Sequence, residues 1–201
     1  MRNILVKLTN AKLKPNFKVR EMSSLGRIDI AARSVLYGLW KSNNIRKDTD
    51  VYLYFGKRDK GTVMAFKGKK IRKLSPNERE IGIYISKAYT LYHKNKYEIT
   101  YNGVHVYECN FEEIVRYLRN KSSLILLLDK SGDFILSDKI KFRDISIILG
   151  DNRGLEEDDL AIINKVCKGK MRIISLGNEE YLTTQCITIV HWYLDNVREI
   201  W

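Results

Sequence analysis

The polar side chains best placed for chemistry near the N-terminus are Arg27, Asp29 and Arg33. Asp29 and Arg33 are four residues apart, the spacing at which side chains meet on one face of a helix, so an internal ion pair is one interpretation of this cluster. The alternative is a nucleic-acid site, in which the guanidinium groups bind phosphate and the carboxylate contacts a base edge. The residues alone leave both interpretations open.

A second candidate is the loop of residues 150–154, which starts at Gly150, ends at Gly154 and joins a predicted strand to a predicted helix. Glycines allow a ligand to approach the backbone closely. The four acidic residues at 156–159 suit the first turn of a helix, and they would also repel a phosphate group. Since the chain has neither the glycine pattern of a dinucleotide site nor that of a P-loop, the loop is compatible with a cationic ligand such as a sulfonium.

Hydrolytic and metal chemistry lack a supporting residue pattern. The three histidines are scattered, and no Gly-x-Ser-x-Gly sequence is present. Cys109, Cys167 and Cys186 have no Cys-x-x-Cys spacing, which argues for reduced thiols and against both a disulfide framework and a zinc site. We therefore predict no metal and no hydrolase nucleophile, and Cys186 on its own is interpreted as a small core residue.

Strands of continuous Ile and Leu between helices predict an α/β fold, with a parallel sheet covered on both faces. We predict strands at 3–8, 50–55, 62–66, 124–128, 145–149 and 171–176, and helices at 24–41, 75–92, 110–120, 156–166 and 183–197. Ser75 is the predicted cap of the second helix, Asn110 caps the third, and Asn102-Gly103 forms a hairpin turn. Ligands bind beyond the carboxyl ends of parallel strands, which is where residues 129–133, 150–154 and 177–182 are expected.

The positive charge of the chain is concentrated towards its N-terminus. Residues 1–75 contain 19 Lys or Arg and 5 Asp or Glu, a net charge of +14, whereas residues 76–201 carry −2. Five of the cations lie in the segment 67–73, which is predicted to be a basic loop. Because clustered cations neutralise phosphates and release counterions, we predict that this part of the chain faces a nucleic acid. A lysine-rich solvated surface is the alternative.

The chain is predicted to form one domain. It has no low-complexity tract, internal repeat or flexible tether. No apolar run approaches the roughly 20 residues of a membrane-spanning helix, and the first residues lack a signal-peptide core. We therefore expect a protein that stays in the cytoplasm.

Six runs of residues together resemble the archaeal tRNA pseudouridine-54 N1-methyltransferases, a family of the SPOUT class, over nearly the whole chain. The matching runs are GRID at 26–29, NIRKD at 44–48, LSPNER at 74–79, ILGD at 148–151, ISL at 174–176 and CITIVH at 186–191. The resemblance implies a mostly parallel SPOUT-type sheet flanked by helices, with a basic half at about 1–120 that faces RNA. It also implies a cofactor-binding half at about 121–201, tied in a trefoil knot, which is a rare exception to unknotted chains.

The resemblance further implies a homodimer, S-adenosylmethionine as methyl donor and tRNA as partner. The family's cofactor contacts carry over by position to Leu128, Gly150, Leu176, Gly177, Asn178, Glu179, Glu180, Tyr181 and Cys186. The predicted RNA contacts are Arg27, Arg33, Arg46, Lys69, Lys70 and Arg72. Asp29 is the candidate catalytic carboxylate, which accepts a hydrogen bond from N1–H of pseudouridine or takes its proton. Two other functions stay open: methylation of a pseudouridine in rRNA, and RNA binding without catalysis.

Overall fold

The computed structural model describes residues 1–137 and 143–197. Its strands are β1 (Arg2–Leu8), β2 (Thr49–Gly56), β3 (Gly61–Lys67), β4 (Ile99–Tyr101), β5 (Val104–Cys109), β6 (Leu124–Phe134), β7 (Ile145–Gly150) and β8 (Met171–Ser175). Its helices are α1 (Ile28–Leu39), α2 (Glu78–Asn95), α3 (Phe111–Lys121), α4 (Glu157–Cys167) and α5 (Thr183–Val197), and a single 3₁₀ turn covers Val19–Glu21.

All eight strands form one sheet in the order β4-β5-β3-β2-β1-β7-β6-β8. The five strands from β2 to β8 in that order are parallel, whereas β3, β5 and β4 extend the sheet in antiparallel fashion. The parallel strands place their carboxyl ends at one edge, and this is the edge at which ligands bind in such folds. The predicted α/β class and mostly parallel sheet are confirmed.

Helices cover both faces of the sheet because successive side chains of each strand point to opposite sides. On β1, Ile4, Val6 and Leu8 face the core beneath α1, α2 and α5. Leu5 of the same strand faces the second core, beneath α3 and α4. A strand that is buried on both sides must be apolar throughout, which explains the continuous Ile and Leu runs.

The first helix begins later than predicted. The structure starts α1 at Ile28 and not at residue 24, because Gly26 and Arg27 both have φ of +71°, outside the helical range. A Cβ atom on Gly26 would overlap the carbonyl group of Asn10, so this turn requires glycine. The turn before α1 is therefore fixed by a contact with the chain that follows β1.

Two further predictions about element ends are wrong. Asn77 and not Ser75 caps α2, since the Asn77 side chain accepts hydrogen bonds from Arg79 N at 2.8 Å and Glu80 N at 3.3 Å. Strand β6 continues to Phe134 through an irregularity after Leu128, so the predicted loop at 129–133 is largely strand. The Asn102-Gly103 turn, with φ of +46° and +87°, and the Asn110–Glu113 capping box are confirmed.

Among residues 1–137 and 143–197, none of the helices combines the length and apolar composition that crossing a bilayer requires. The predicted knot spans a region that includes residues 138–142, which lie outside the described residues. It stays a prediction, as does the homodimer.

Candidate active site

Three chain segments converge on one cleft of about 630 Å³. They are residues 128–130 at the irregularity of β6, the loop 150–154 after β7, and the loop that joins β8 to α5. The cleft is lined by Leu128, Asp129, Lys130, Asp151, Asn152, Arg153, Gly154, Ile174, Ser175, Leu176, Gly177, Glu179, Glu180, Tyr181, Leu182, Thr183 and Cys186. The structure thus brings together most of the residues predicted to bind the cofactor.

Gly150, a predicted cofactor contact, shapes the loop beside the cleft without being one of its lining residues. A Cβ atom at this position would overlap the Gly154 carbonyl group, because the chain doubles back between the two glycines. The side chain of Asp151 stabilises the turn by accepting a hydrogen bond from Arg153 N at 2.9 Å. Thr183 Oγ1 donates to the Gly150 carbonyl oxygen at 3.0 Å and so joins the loop to the start of α5. Only glycine permits this fold of the loop.

The loop between β8 and α5 is held at both ends. Gly177 has φ of +121°, and its N–H donates to Ser175 Oγ at 3.1 Å. At the other end, Leu182 N donates to Gln185 Oε1 at 2.9 Å. Glu180 forms an ion pair of 2.9 Å with Lys130 across the cleft. Asn178 lies in this loop without being one of the lining residues.

Cys186 lines the cleft from the first turn of α5. Burial raises the pKa of its thiol, which keeps the sulfur protonated and poorly nucleophilic near neutral pH. This agrees with its interpretation as a packing residue, and contact with the cofactor stays a prediction for this side chain.

The lining of the cleft favours a cationic ligand with an apolar part. Four carboxylates face two cations there, and Leu128, Ile174 and Leu176 supply apolar surface. Hydrogen bonds from Ser131 lower the pKa of Asp129, which therefore stays ionised. A nucleoside that carries a positive sulfonium centre matches both the charge and the size of this cleft.

Arg27, Asp29 and Arg33 form one cluster at the N-terminal end of α1. Arg27 Nε and Nη2 each donate to the Asp29 carboxylate at 3.0 Å, and Arg33 Nη2 also binds it. Burial opposes ionisation of Asp29, but the hydrogen bond and charge of Arg27 and the charge of Arg33 outweigh it and lower the pKa of the carboxyl. The ion pair predicted from the four-residue spacing is confirmed, and a base contact by Asp29 stays a prediction.

The cluster lies beside the cleft. The hydrogen bond and charge of Asp29 raise the pKa of Arg27, and the charge of Asp151 acts in the same direction. Asp151 lines the cleft, so the Arg27 guanidinium group is near enough to the loop 150–154 to interact with it electrostatically. Arg27 has φ of +71°, which is an uncommon backbone state for a residue other than glycine.

The remaining predicted RNA contacts lie apart from Asp29. Arg46 is largely buried and donates to Asp195 of α5, at 3.1 Å from Nη1 and 2.6 Å from Nη2. Lys69 and Arg72 line a separate cleft, and Lys70 is exposed in the same basic loop. The structure therefore gives Arg46 a packing contact, while Lys69, Lys70 and Arg72 are open to a ligand.

Residues that the sequence did not single out also line the cleft. Thr183 is the clearest of these, because it ties α5 to Gly150. The sequence offered one signal for Thr183, which is its position at the start of a predicted helix, where hydroxyl side chains are favoured. Lys130 and Arg153 are the two cations of the cleft, and an exposed cation gives no such signal in the sequence.

Comparison with known proteins bears on this site. Residues 1–199 match the family described as "Putative SAM-dependent RNA methyltransferase". The tRNA (pseudouridine(54)-N(1))-methyltransferase of Methanococcus aeolicus is 28% identical over 181 residues, covering 87% of this chain and 87% of the relative. The enzyme of that name from Thermococcus gammatolerans is 28% identical over 205 residues, covering 98% of both.

A solved structure shows that the fold is shared. Archaeoglobus fulgidus Nep1 bound to S-adenosylhomocysteine is similar with a TM-score of 0.66 at 15% identity, covering 98% of both chains. The family predicted from the six sequence runs and its methyl donor are confirmed by the family match, and the chain belongs to the family of S-adenosylmethionine-dependent RNA methyltransferases.

Proposed function

We propose that this protein transfers a methyl group from S-adenosylmethionine to N1 of pseudouridine 54 in tRNA. The observation that carries the proposal is the meeting of the three segments at one cleft with the Arg27–Asp29–Arg33 cluster beside it. The relatives from Methanococcus aeolicus and Thermococcus gammatolerans bear the name of this activity. A donor site and an acceptor-base site side by side are what the reaction needs.

The cleft would hold the methyl donor through backbone groups and apolar contacts. Leu128, Ile174 and Leu176 offer apolar surface to an adenosine, and the tight turn at Gly150 positions the loop 150–154 beside it. The carboxylates of Asp129 and Asp151 favour the positive charge of the donor. S-adenosylmethionine supplies the methyl group from its sulfonium centre, and fixing that group in line with the acceptor accounts for much of the rate.

Asp29 would orient the acceptor base. Its lowered pKa keeps the carboxylate ionised at neutral pH, so it can accept a hydrogen bond from N1–H of pseudouridine. As N1 gains the methyl group it loses its proton, which the Asp29 carboxylate accepts and then releases to water. Arg27 and Arg33 hold the carboxylate in place and offer guanidinium donors to the RNA phosphates.

The proposal includes the homodimer and the knot. Tyr37 of α1 and Trp192 of α5 are 47% and 57% exposed, and they flank a cleft of about 480 Å³ on one face of the molecule. Exposed aromatic side chains on neighbouring helices favour an interface between two copies.

The proposed knot requires the loop 176–182 to cross over β6 and β7. The Lys130–Glu180 ion pair and the Thr183–Gly150 hydrogen bond support such a crossing. We propose that the enzyme acts in the cytoplasm.

The test uses one tRNA made with and without pseudouridine at position 54. The protein is incubated with each RNA and labelled S-adenosylmethionine, and the modified nucleoside is identified by mass spectrometry. We expect N1-methylpseudouridine at position 54 only in the RNA that contains pseudouridine. Methylation of both RNAs, or of neither, would overturn the proposal.

Two rival functions are separated by the same assay with rRNA fragments and by a binding measurement. Transfer to a pseudouridine in rRNA fragments but not in tRNA would identify an rRNA methyltransferase. Tight binding of tRNA without binding of S-adenosylmethionine, measured by calorimetry, would identify a non-enzymatic RNA-binding protein.

A further inference from the structure

The structure contains a larger cleft outside the active site. It measures about 730 Å³ and lies between residues 16–20 and the first half of α2, and we call it the α2 groove. Two hydrogen bonds fix its walls: Asn16 N donates to Thr90 Oγ1 at 2.8 Å, and Ser86 Oγ donates to the Phe17 carbonyl oxygen at 2.9 Å. The groove is therefore a fixed part of the fold.

Its rim is positively charged. Lys18, Arg20, Arg79 and Lys87 line the groove, all four are exposed, and its lining residues include no Asp or Glu. Within the described part of the chain, none of the four forms a salt bridge. The nearby Glu21 instead pairs with Lys14 at 3.2 Å. Four cations without salt bridges in one groove favour a polyanion over a neutral or cationic partner.

Both walls of the groove lead to the Asp29 cluster. The 3₁₀ turn Val19–Glu21 is followed by Met22, whose carbonyl oxygen accepts a hydrogen bond from Ile28 N at 2.9 Å, one residue before Asp29. On the other wall, Glu78 Oε2 lies 3.9 Å from Arg33 Nε, and Arg79 is the next residue. An RNA strand that presents a base to Asp29 can thus continue directly into the groove.

We infer that the α2 groove binds the sugar–phosphate backbone of the tRNA next to the methylated nucleotide. This inference rests on the proposed function and adds a contact surface that none of the predicted RNA contacts includes. Lys18, Arg20, Arg79 and Lys87 bind phosphate oxygens, and the partly buried Val19 and Ile83 on its floor contact the sugars. The groove thereby sets the register of the RNA relative to Asp29.

The test removes charge from the groove while a matched variant removes the same charge elsewhere. The groove variant is Lys18→Gln/Arg79→Gln/Lys87→Gln. The control is Lys57→Gln/Lys96→Gln/Lys168→Gln, three exposed cations that also form no salt bridge with the described residues. Both variants lower the net charge by the same amount, so a difference between them reports position.

Affinity for unmodified tRNA is measured by titration between 50 and 300 mM salt, roughly the range in which phosphate contacts dominate. We expect the Kd of the groove variant to rise about tenfold or more, and the slope of log K against log salt to fall by about 2 to 3. The control variant keeps most of the wild-type slope. Binding of S-adenosylmethionine is unchanged in both.

Equal losses in the two variants would overturn the inference, because affinity would then follow net charge alone. Unchanged tRNA affinity in the groove variant would also overturn the inference. If the groove variant instead changed the oligomeric state or the binding of an acidic peptide, the groove would bind a protein and not RNA. Failure of the proposed function gives a different result. In that case the wild-type protein methylates no tRNA, whatever the groove variant does to RNA affinity.

Discussion

Lys7 Nζ and Asp159 Oδ2 lie 2.7 Å apart, with each side chain only 1% exposed. Lys7 is opposite Gly150 in the β1–β7 pairing, and Asp159 accepts a hydrogen bond from Glu156 N in the first turn of α4. Lys7 Nζ also donates to Thr9 Oγ1 at 3.0 Å. One buried ion pair therefore joins the end of β1 to the helix that follows the glycine loop.

Replacing Lys7 alone should destabilise the protein strongly. Lys7→Met leaves the Asp159 carboxylate buried without its cation, which costs about 3–5 kcal/mol of unfolding free energy. The double variant Lys7→Met/Asp159→Asn should recover part of that loss, because asparagine carries no charge and can still accept from Glu156 N. Urea unfolding at pH 7 measures both values. A double variant no more stable than Lys7→Met would contradict the assignment of the cost to the unpaired charge.

Asp29→Asn should reduce methyl transfer while leaving the donor site intact. The amide keeps the shape of the side chain but loses the charge that accepts from N1–H, so we expect the turnover rate to fall by about 10²–10⁴. Affinity for S-adenosylmethionine, measured by calorimetry, should stay within about twofold of the wild type. Glu78→Gln is the control, since Glu78 pairs with Arg33 and has no proposed contact with the base. Full turnover in Asp29→Asn would remove Asp29 from its proposed role.

Gly150→Ala should weaken binding of the methyl donor. The new methyl group would overlap the Gly154 carbonyl, so the loop 150–154 must leave its present position. We expect the Kd for S-adenosylmethionine to rise by about tenfold or more, since 1.4 kcal/mol is a factor of ten. Calorimetry measures the affinity, and a thermal melt confirms that the variant is folded. Wild-type affinity in a folded variant would show that the loop position does not govern binding.

Stability should fall with acid through His191. Burial, together with the charges of Arg46 and Arg2, lowers the pKa of this histidine to about 3 from an ordinary 6.5. Its Nε2 lies 3.0 Å from the Gly38 carbonyl oxygen, and its Nδ1 lies 3.0 Å from Arg2 Nη1, which fits a neutral ring. Between those two pKa values the unfolded chain binds a proton that the folded chain does not, so stability rises with pH across this window.

The variant His191→Gln tests this, because its amide can replace both hydrogen bonds without titrating. The free energy of unfolding is measured at several pH values from 4 to 7. The slope with pH should be smaller in His191→Gln than in the wild type. Equal slopes would contradict the assignment to His191.

Local residue patterns predicted most of the sheet and the helices. Continuous apolar runs marked the parallel strands, and Asn102-Gly103 marked a turn, because each depends on neighbouring residues alone. The start of α1 was wrong because the conformation of Gly26 is set by Asn10, which is distant in sequence. Ser75 and Asn77 are both suitable caps, and the sequence does not contain the packing that selects Asn77.

In the candidate site, too, some features could be predicted from the sequence and others depend on contacts between distant residues. The segments that meet at the cleft follow from a general rule about parallel strands, so their positions were predictable. The Lys7–Asp159 pair was not, because it joins residues 152 positions apart and gives no local signal. Arg46 looked like a phosphate ligand in the sequence, yet its guanidinium binds Asp195 on a helix nearly 150 residues away.

The turn at Gly26 touches the chain just beyond β1, and β1 also lies beside Gly150 in the middle of the sheet. The strand β1 thus connects the two parts of the proposed active site, the loop 150–154 and the turn before Asp29. If these parts bind donor and acceptor as proposed, the backbone of the enzyme sets the distance between the two reactants. We expect the rearrangement that brings the two reactants together to occur in the RNA, whose target nucleotide must leave its stack to reach Asp29.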